Sequence, residues 1–245
     1  MDTIIKSCKY LNSPLSSDII FINKNIKDKG EICYKLQEVH DSKGKIVGYE
    51  ILTDSVLTSG IRFFSCDDVL ELIYIKAVHT SELKFMLGKT LYVNIENYEL
   101  CNFHILKKIV ELNLVLDACG IKLVIELTER DHCFPCKNFG LGLKYLYENR
   151  ISLAADDYNM FKSDYRNKFL NYHFDFVKLE VPSLSSGFLD DFIESSKLMS
   201  SCFKFVVFER IEKKEQLDLI LELRLSNALF QGFYFRSAFV KLSRK

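Results

Sequence analysis

Tryptophan is absent from this chain, and only three prolines and ten glycines occur in its 245 residues. So little Gly and Pro excludes collagen-like and low-complexity architectures. Net charge is missing as well, because 33 Lys and Arg balance 33 Asp and Glu. A domain that grips nucleic acid by its phosphates usually carries a basic excess, so DNA is not an expected partner. That balance still allows a small anionic ligand held at one local site. No apolar run approaches the roughly 18 residues of a membrane span. Met1 to Tyr10 alternates polar and apolar residues and lacks the long apolar stretch of a secretory signal. Neither a membrane nor export is therefore expected.

What is present is core-forming material. Apolar residues make up 48% of the chain and charged residues 27%, which excludes wholesale disorder. Eight cysteines spread over so long a chain read as reduced thiols of a cytoplasmic protein, not as a disulfide framework. At about 150 residues per domain, the length allows one large domain or two small ones.

Residues 1–30 are a polar and apolar mixture with a Lys/Asn-rich end, expected to form a leader packed on a main domain that spans 31–245. Glu31–Val39 and Ile46–Asp54 flank the turn-forming Asp41-Ser42-Lys43-Gly44, which predicts a hairpin. Helix and strand patterns then alternate. Helices are expected at Asp67–Leu87, Ile105–Cys119, Asn138–Asn149, Tyr165–Tyr172, Leu189–Ser200 and Lys213–Leu223. Strands are expected at Thr90–Ile95, Ile121–Leu127, Ile151–Ala155, Phe174–Leu179, Phe203–Phe208 and Ala228–Gln231. Six or more such units in one chain point to a (β/α)-barrel with a parallel sheet, in one domain.

The polar residues fall at the strand ends. Glu50 closes IVGYE, Asn94 closes LYVN and Glu126 closes KLVIE; Asp156 and Asp157 close SLAADD, Lys178 closes FDFVK and Glu209 closes FVVFE. In a (β/α)-barrel all strand C-termini open on one face, where chemistry is carried out. Five carboxylates there, against one ammonium, leave four negative charges that repel unless something compensates them. Two divalent cations would do so. Carboxylates and an amide are hard oxygen ligands that suit Mg²⁺ or Mn²⁺. Such a pair activates water for in-line displacement at phosphorus.

The same residues carry a resemblance. Gly48-Tyr49-Glu50-Ile51-Leu52 is similar to the G-x-E-A-L signature of the EAL-domain family, the cyclic di-GMP phosphodiesterases. Gln37-Glu38-Val39-His40-Asp41 resembles the upstream Q-P-I-V-D, Val93-Asn94 the V-N-L strand, and Glu126-Leu127-Thr128-Glu129 the E-x-T-E motif. Ala155-Asp156-Asp157-Tyr158 resembles the start of D-D-F-G-T-G, and Val177-Lys178-Leu179-Glu180 resembles K-I-D. Phe208-Glu209-Arg210-Ile211-Glu212 and Gln231-Gly232-Phe233-Tyr234-Phe235 resemble A-E-G-V-E and Q-G-Y-L-F. The motifs stand in the family's order over about residues 31 to 240.

The resemblance implies a modified TIM-type (β/α)8 barrel with an antiparallel opening hairpin, and hydrolysis of cyclic di-GMP to linear pGpG. It implies metal ligation by Glu50, Asn94, Glu126, Asp156 and Asp157, a general base in Glu209, and a water- and phosphate-orienting Lys178. Gln37, Leu52 and Gln231 would meet the substrate, while Glu129 would anchor the loop after Asp157 and Glu212 would support the site. It also leaves room for a homodimer. Two departures stand out. Asp54 occupies the place of a ligand-binding Arg, and Tyr158-Asn159-Met160-Phe161 replaces F-G-T-G. Loss of both glycines removes easy access to positive φ; Asn159 is the residue expected to keep the first turn. These departures carry an alternative: a catalytically weak or inactive protein that binds a regulatory partner controlling motility or adhesion genes.

Lesser signals are bland. Cys133-Phe134-Pro135-Cys136 beside His132 lacks a second ligand pair for zinc and reads as a surface loop. His40, His79, His104 and His173 follow no metal spacing and read as packing or surface residues. The basic runs Lys24–Lys29 and Lys241–Lys245 read as solvated charge.

Overall fold

The protein is described from a computed structural model covering residues 20–23, 32–53, 66–79, 82–129, 137–159, 164–169 and 174–235. Asp54, His132, Cys133, Cys136, Met160, Phe161, His173 and both basic runs lie outside the described residues.

Alternating apolar residues build eight strands that stand side by side. They are β2 (Ile32–His40), β3 (Ile46–Thr53), β4 (Thr90–Ile95), β5 (Lys122–Leu127), β6 (Ser152–Ala155), β7 (Phe176–Glu180), β8 (Phe205–Glu209) and β9 (Ala228–Phe230). A contact between His40 and Phe230 joins β9 to β2 and closes the barrel. From β3 to β9 all neighbours are parallel, while β2 runs against both β3 and β9. The expected α/β barrel with its reversed opening strand is what the chain forms. A short strand β1 (Ile20–Asn23) pairs antiparallel with the start of β2. Part of the expected leader is thus an added strand of the sheet.

Helices α1 (Cys66–His79), α2 (Phe103–Ala118), α3 (Lys137–Glu148), α4 (Leu189–Cys202) and α5 (Lys214–Glu222) follow the strands. Helix α2 shows why: Ile105, Leu106, Ile109, Leu112 and Leu116 recur on one face and are buried, and the Asn102 side chain caps the His104 N–H. Among the described residues no helix is long and apolar enough to cross a membrane.

One expected helix is broken, and another is a 3-10 turn where it is described. Helix α1 stops at His79, and Lys84–Met86 forms a separate 3-10 turn that buries Leu83 and Met86. A single helix from 67 to 87 would be about 31 Å long, whereas β4 with its six residues spans about 20 Å. The chain must break to re-enter the barrel. Of the helix expected at 165–172, the described part is one 3-10 turn, Tyr165–Lys168.

The period of two sets up the site. Val39, Tyr92, Val124, Ala154, Phe176, Val207 and Leu229 form one buried apolar cluster inside the barrel. The alternate residues, among them Leu91, Val93, Leu123 and Ile125, pack outward with the helices in a second cluster. Gly48 leaves the space that the Tyr92 ring fills, since a Cβ there would lie 2.8 Å from that ring. One residue pair further along each strand, the interior layer turns polar.

Candidate functional site

Two residues beyond Tyr92, Val124, Ala154, Phe176, Val207 and Leu229 stand Asn94, Glu126, Asp156, Lys178, Glu209 and Gln231. Period two places each side chain on the same face as its apolar predecessor, so the barrel gathers them in one layer. Glu50 on β3 completes it. The convergence expected from the strand ends is therefore physical.

Lys178 sits at the centre, 1% exposed. Its Nζ lies 3.1 Å from Glu50, 2.9 Å from Glu126, 2.8 Å from Asp156 and 2.9 Å from Glu209. Burial works to strip its proton, but Asp156, Glu126, Glu209 and Glu50 outweigh burial and hold its pKa well above the ordinary lysine value. Glu50 accepts from Asn94 Nδ2 at 2.8 Å and from Gln231 Nε2 at 2.6 Å. Burial alone would raise the pKa of Glu50; Lys178 and those two amides reverse the direction and keep it ionised.

The other carboxyls go the opposite way. Burial, then the charge of Glu50, push Glu126 well above the usual carboxylate range. Glu126 is fully buried, and the Lys178 ammonium beside its Oε1 makes an ion pair without the angle of a hydrogen bond. Glu209 is pushed up to about 8, mainly by burial and against the pull of Lys178. Asp157 is raised by burial, then by Asp156 and Glu129. Among the described residues, Asn94 Oδ1, Glu126 Oε2, Glu209 Oε2 and Gln231 Oε1 are buried without a hydrogen-bond partner. Buried acceptors in that state cost free energy. Hard oxygen donors that lack partners and repel one another are what a divalent cation satisfies, so the donor set fits such an ion.

A second cluster adjoins the first. Carboxylate oxygens of Glu129, Asp156 and Asp157 lie within 4.8 Å of one another. The turn that presents them runs through Asp157, at φ 44°. Positive φ thus falls on Asp157 and not on Asn159, contrary to the expectation for the loop. Asp and Asn are the side chains that tolerate that region best. Two backbone bonds hold the turn: Asp156 N–H to Leu127 at 3.1 Å and Tyr158 N–H to Lys178 at 3.0 Å. Tyr158 is buried and donates its hydroxyl to Asn167 at 2.8 Å.

Of the remaining residues expected at the site, Gln37 lies opposite Glu50 on β2 and is half-buried, and Leu52 is half-buried on β3. Glu212 is not brought into the buried cluster: it is exposed, and its N–H bonds Gln216 at 2.9 Å. Its position, past the end of β8, lets the side chain stay in water. His40 is buried and stacked on Phe235 at 4.4 Å, while His79 and His104 are exposed.

Sequence reasoning missed Arg166. It is fully buried, and its Nη1 donates to the carbonyls of Leu127 and Asp156, each at 2.6 Å. Asp164 grips the other side of the guanidinium, with Nη2 at 2.6 Å from Oδ2. The neighbouring Tyr165 hydroxyl bonds Asn97 and the Thr128 carbonyl. This turn ties together the segments that carry Glu126, Glu129 and Asp156. A lone Arg in a polar stretch gives no local signal of that role.

The architecture can be placed beside solved structures. It matches the EAL domain of Mycobacterium smegmatis DcpA at 16% identity with a TM-score of 0.61, over 84% of this chain and 95% of that one. The chain has the EAL-domain fold. The Klebsiella pneumoniae BlrP1 calcium/cy-diGMP complex matches it at 22% identity and TM-score 0.62, over 82% of this chain and 54% of that one. Bacillus subtilis YkuI, an EAL-domain protein in complex with substrate c-di-GMP and calcium, matches at 23% and 0.59, over 82% and 53%. The chain spans about half the length of BlrP1 and YkuI. By sequence, no family model and no curated protein matches it.

Proposed function

We propose that this EAL-fold chain is a metal-dependent phosphodiesterase that cleaves cyclic di-GMP to linear pGpG, with two Mg²⁺ or Mn²⁺ ions as cofactor. The observation that carries the reading is the buried layer of carboxylate and amide oxygens, several without partners, around the single ammonium of Lys178. Glu50, Asn94, Glu126, Asp156 and Asp157 are the proposed ligands. Bound there, divalent cations lower the pKa of a water and stabilise charge at the reacting phosphate.

The chain's own groups do the rest. Glu209 accepts the proton of the attacking water at Oε2, the oxygen that no hydrogen bond engages. Burial raises the proton affinity of that carboxyl above that of an ordinary carboxylate. Water oxygen bonds to phosphorus, the phosphorus–3′-oxygen bond breaks, and the departing 3′-oxygen takes a proton from solvent, so the product leaves with a 5′-phosphate and a free 3′-hydroxyl. Lys178 orients the water and the phosphate. Gln37, Leu52 and Gln231 meet the substrate, and Glu129 anchors the Asp157 turn. On this reading the working unit is the domain at 31–245 with strand β1 added to its sheet, it acts in the cytoplasm, and a homodimer is compatible with it. A second reading, favoured by Asp54 where the resemblance has an Arg, is a weakly active protein that binds a regulatory partner.

The test is incubation of purified protein with cyclic di-GMP and Mn²⁺ or Mg²⁺, with pGpG resolved chromatographically. Turnover is expected, and Glu209→Gln should lower it by roughly 10²-fold or more. A wild type that makes no pGpG with either metal defeats the enzyme reading and leaves the binding one.

A further inference from the structure

The cluster has one cation at its centre, and four carboxylates already engage it. A cyclic dinucleotide brings two phosphodiesters; the reacting one meets Lys178 and the cations of the reading above, and the other needs a partner elsewhere. Along β7 the interior positions are Phe176, Lys178 and then Glu180, which reaches the mouth of the barrel one layer above Lys178. Glu180 is the register partner of Glu209 on β8. Arg210 follows Glu209, and its Nη1 donates to Glu180 Oε1 at 2.8 Å. That pair holds the guanidinium at the mouth, with the Arg210 side chain 62% exposed. Its charge also acts on Asp157, beside that of Lys178.

Arg210 has φ 54°, a left-handed conformation that Arg150 and Arg224 also adopt. Bonds on both sides impose it: the Glu209 carbonyl accepts from Val181 N–H at 3.1 Å, and Ile211 N–H donates to Gln231 at 3.2 Å. A glycine would suit that conformation better.

We propose that Arg210 binds a substrate phosphate at the mouth of the site. The assignment rests on the phosphodiesterase reading above. A guanidinium presents a planar fork that matches phosphate oxygens, and one N–H is shared with Glu180 in an exposed pair. Such pairs are weak. A phosphate entering the mouth displaces that contact at little cost.

The experiment is calorimetric titration of the protein with cyclic di-GMP in Ca²⁺, the ion present in the YkuI and BlrP1 complexes. Wild type, Arg210→Gly and Arg210→Lys are compared, together with their melting temperatures. Arg210→Gly should bind roughly tenfold or more weakly while melting at or above the wild-type temperature. Arg210→Lys should recover part of the affinity. In turnover with Mn²⁺, Arg210→Gly should raise KM more than it lowers kcat. Equal binding by wild type and Arg210→Gly overturns the assignment, and so does a loss of binding that Lys does not recover at all. A wild type that binds no cyclic di-GMP is a different failure, since it removes the phosphodiesterase reading itself.

Discussion

Lys178→Met removes the one positive charge that holds four carboxylates together in the described structure. The ammonium lies within 3.1 Å of Glu50, Glu126, Asp156 and Glu209, and it is out of contact with solvent. Methionine fills much of the volume, so the loss is electrostatic and not a cavity. Removing one partner of a buried ion pair costs about 3–5 kcal/mol. At roughly 2–4 °C per kcal/mol for a chain of this size, the variant should melt roughly 10 °C below wild type in EDTA. Divalent cations should reverse much of this. At 100 times Kd each bound ion contributes about 2.7 kcal/mol, and a more negative cluster holds it more tightly. The assay is a set of thermal melts of both proteins in EDTA and in Mn²⁺. The gap in Mn²⁺ should be less than half the gap in EDTA. Adding Glu50→Gln to Lys178→Met should recover stability in EDTA, because Glu50 is the carboxyl that Lys178 keeps ionised. A variant that melts with wild type in EDTA, or a gap that Mn²⁺ leaves unchanged, would refute the electrostatic account of this layer.

Other expectations follow from the same structure. Arg166→Lys cannot serve the Leu127 and Asp156 carbonyls through one nitrogen while gripping Asp164 through two others; it should cost about 2–3 kcal/mol in urea unfolding and weaken Mn²⁺ binding, read as free Mn²⁺ by electron paramagnetic resonance, and unchanged affinity would separate the turn from the site. Glu99 accepts from Cys66 and Glu96 N–H, and burial raises its pKa above the ordinary 4.5. The folded state therefore keeps this proton where the unfolded chain has lost it, and the contribution to stability falls as pH rises from about 4.5 through the folded value. Glu99→Gln removes that slope, so its stability deficit should shrink between pH 4.5 and 8; a deficit independent of pH contradicts the assignment. In α3, Gly140→Ala meets nothing within 4 Å and should stabilise by up to about 1 kcal/mol. Gly142→Ala, equally favourable by propensity, drives a Cβ into the Leu100 carbonyl and should destabilise; chemical denaturation of the two variants should move in opposite directions.

Much of the barrel was legible because alternation is local. Tyr92 and Asn94, Val124 and Glu126, or Phe176 and Lys178 are two residues apart, and a strand puts such pairs on one face whatever surrounds it. Polar residues ending apolar strands, together with the order of the motifs, were enough to anticipate the fold, the reversed opening strand and the layer that includes Glu50, Asp156 and Glu209. The same local patterns misjudged α1, whose periodicity continues past the length that the barrel can accommodate.

What the tertiary structure alone decided is how those groups behave once together. Lys178 and Glu50 are 128 residues apart, and Gln231 and Glu50 are 181 apart. Which carboxyl stays ionised and which is pushed up depends on burial and on charges summed over all these segments. No window of sequence contains that sum. The inward turn of Arg166, the left-handed Asp157 and the placement of Arg210 at the mouth have the same origin: each is fixed by carbonyls and amides of strands distant in the chain. Residue types at strand ends could be read from the sequence, since the period of a strand is a property of its own backbone. Their protonation and positioning could not, since both are properties of the closed barrel.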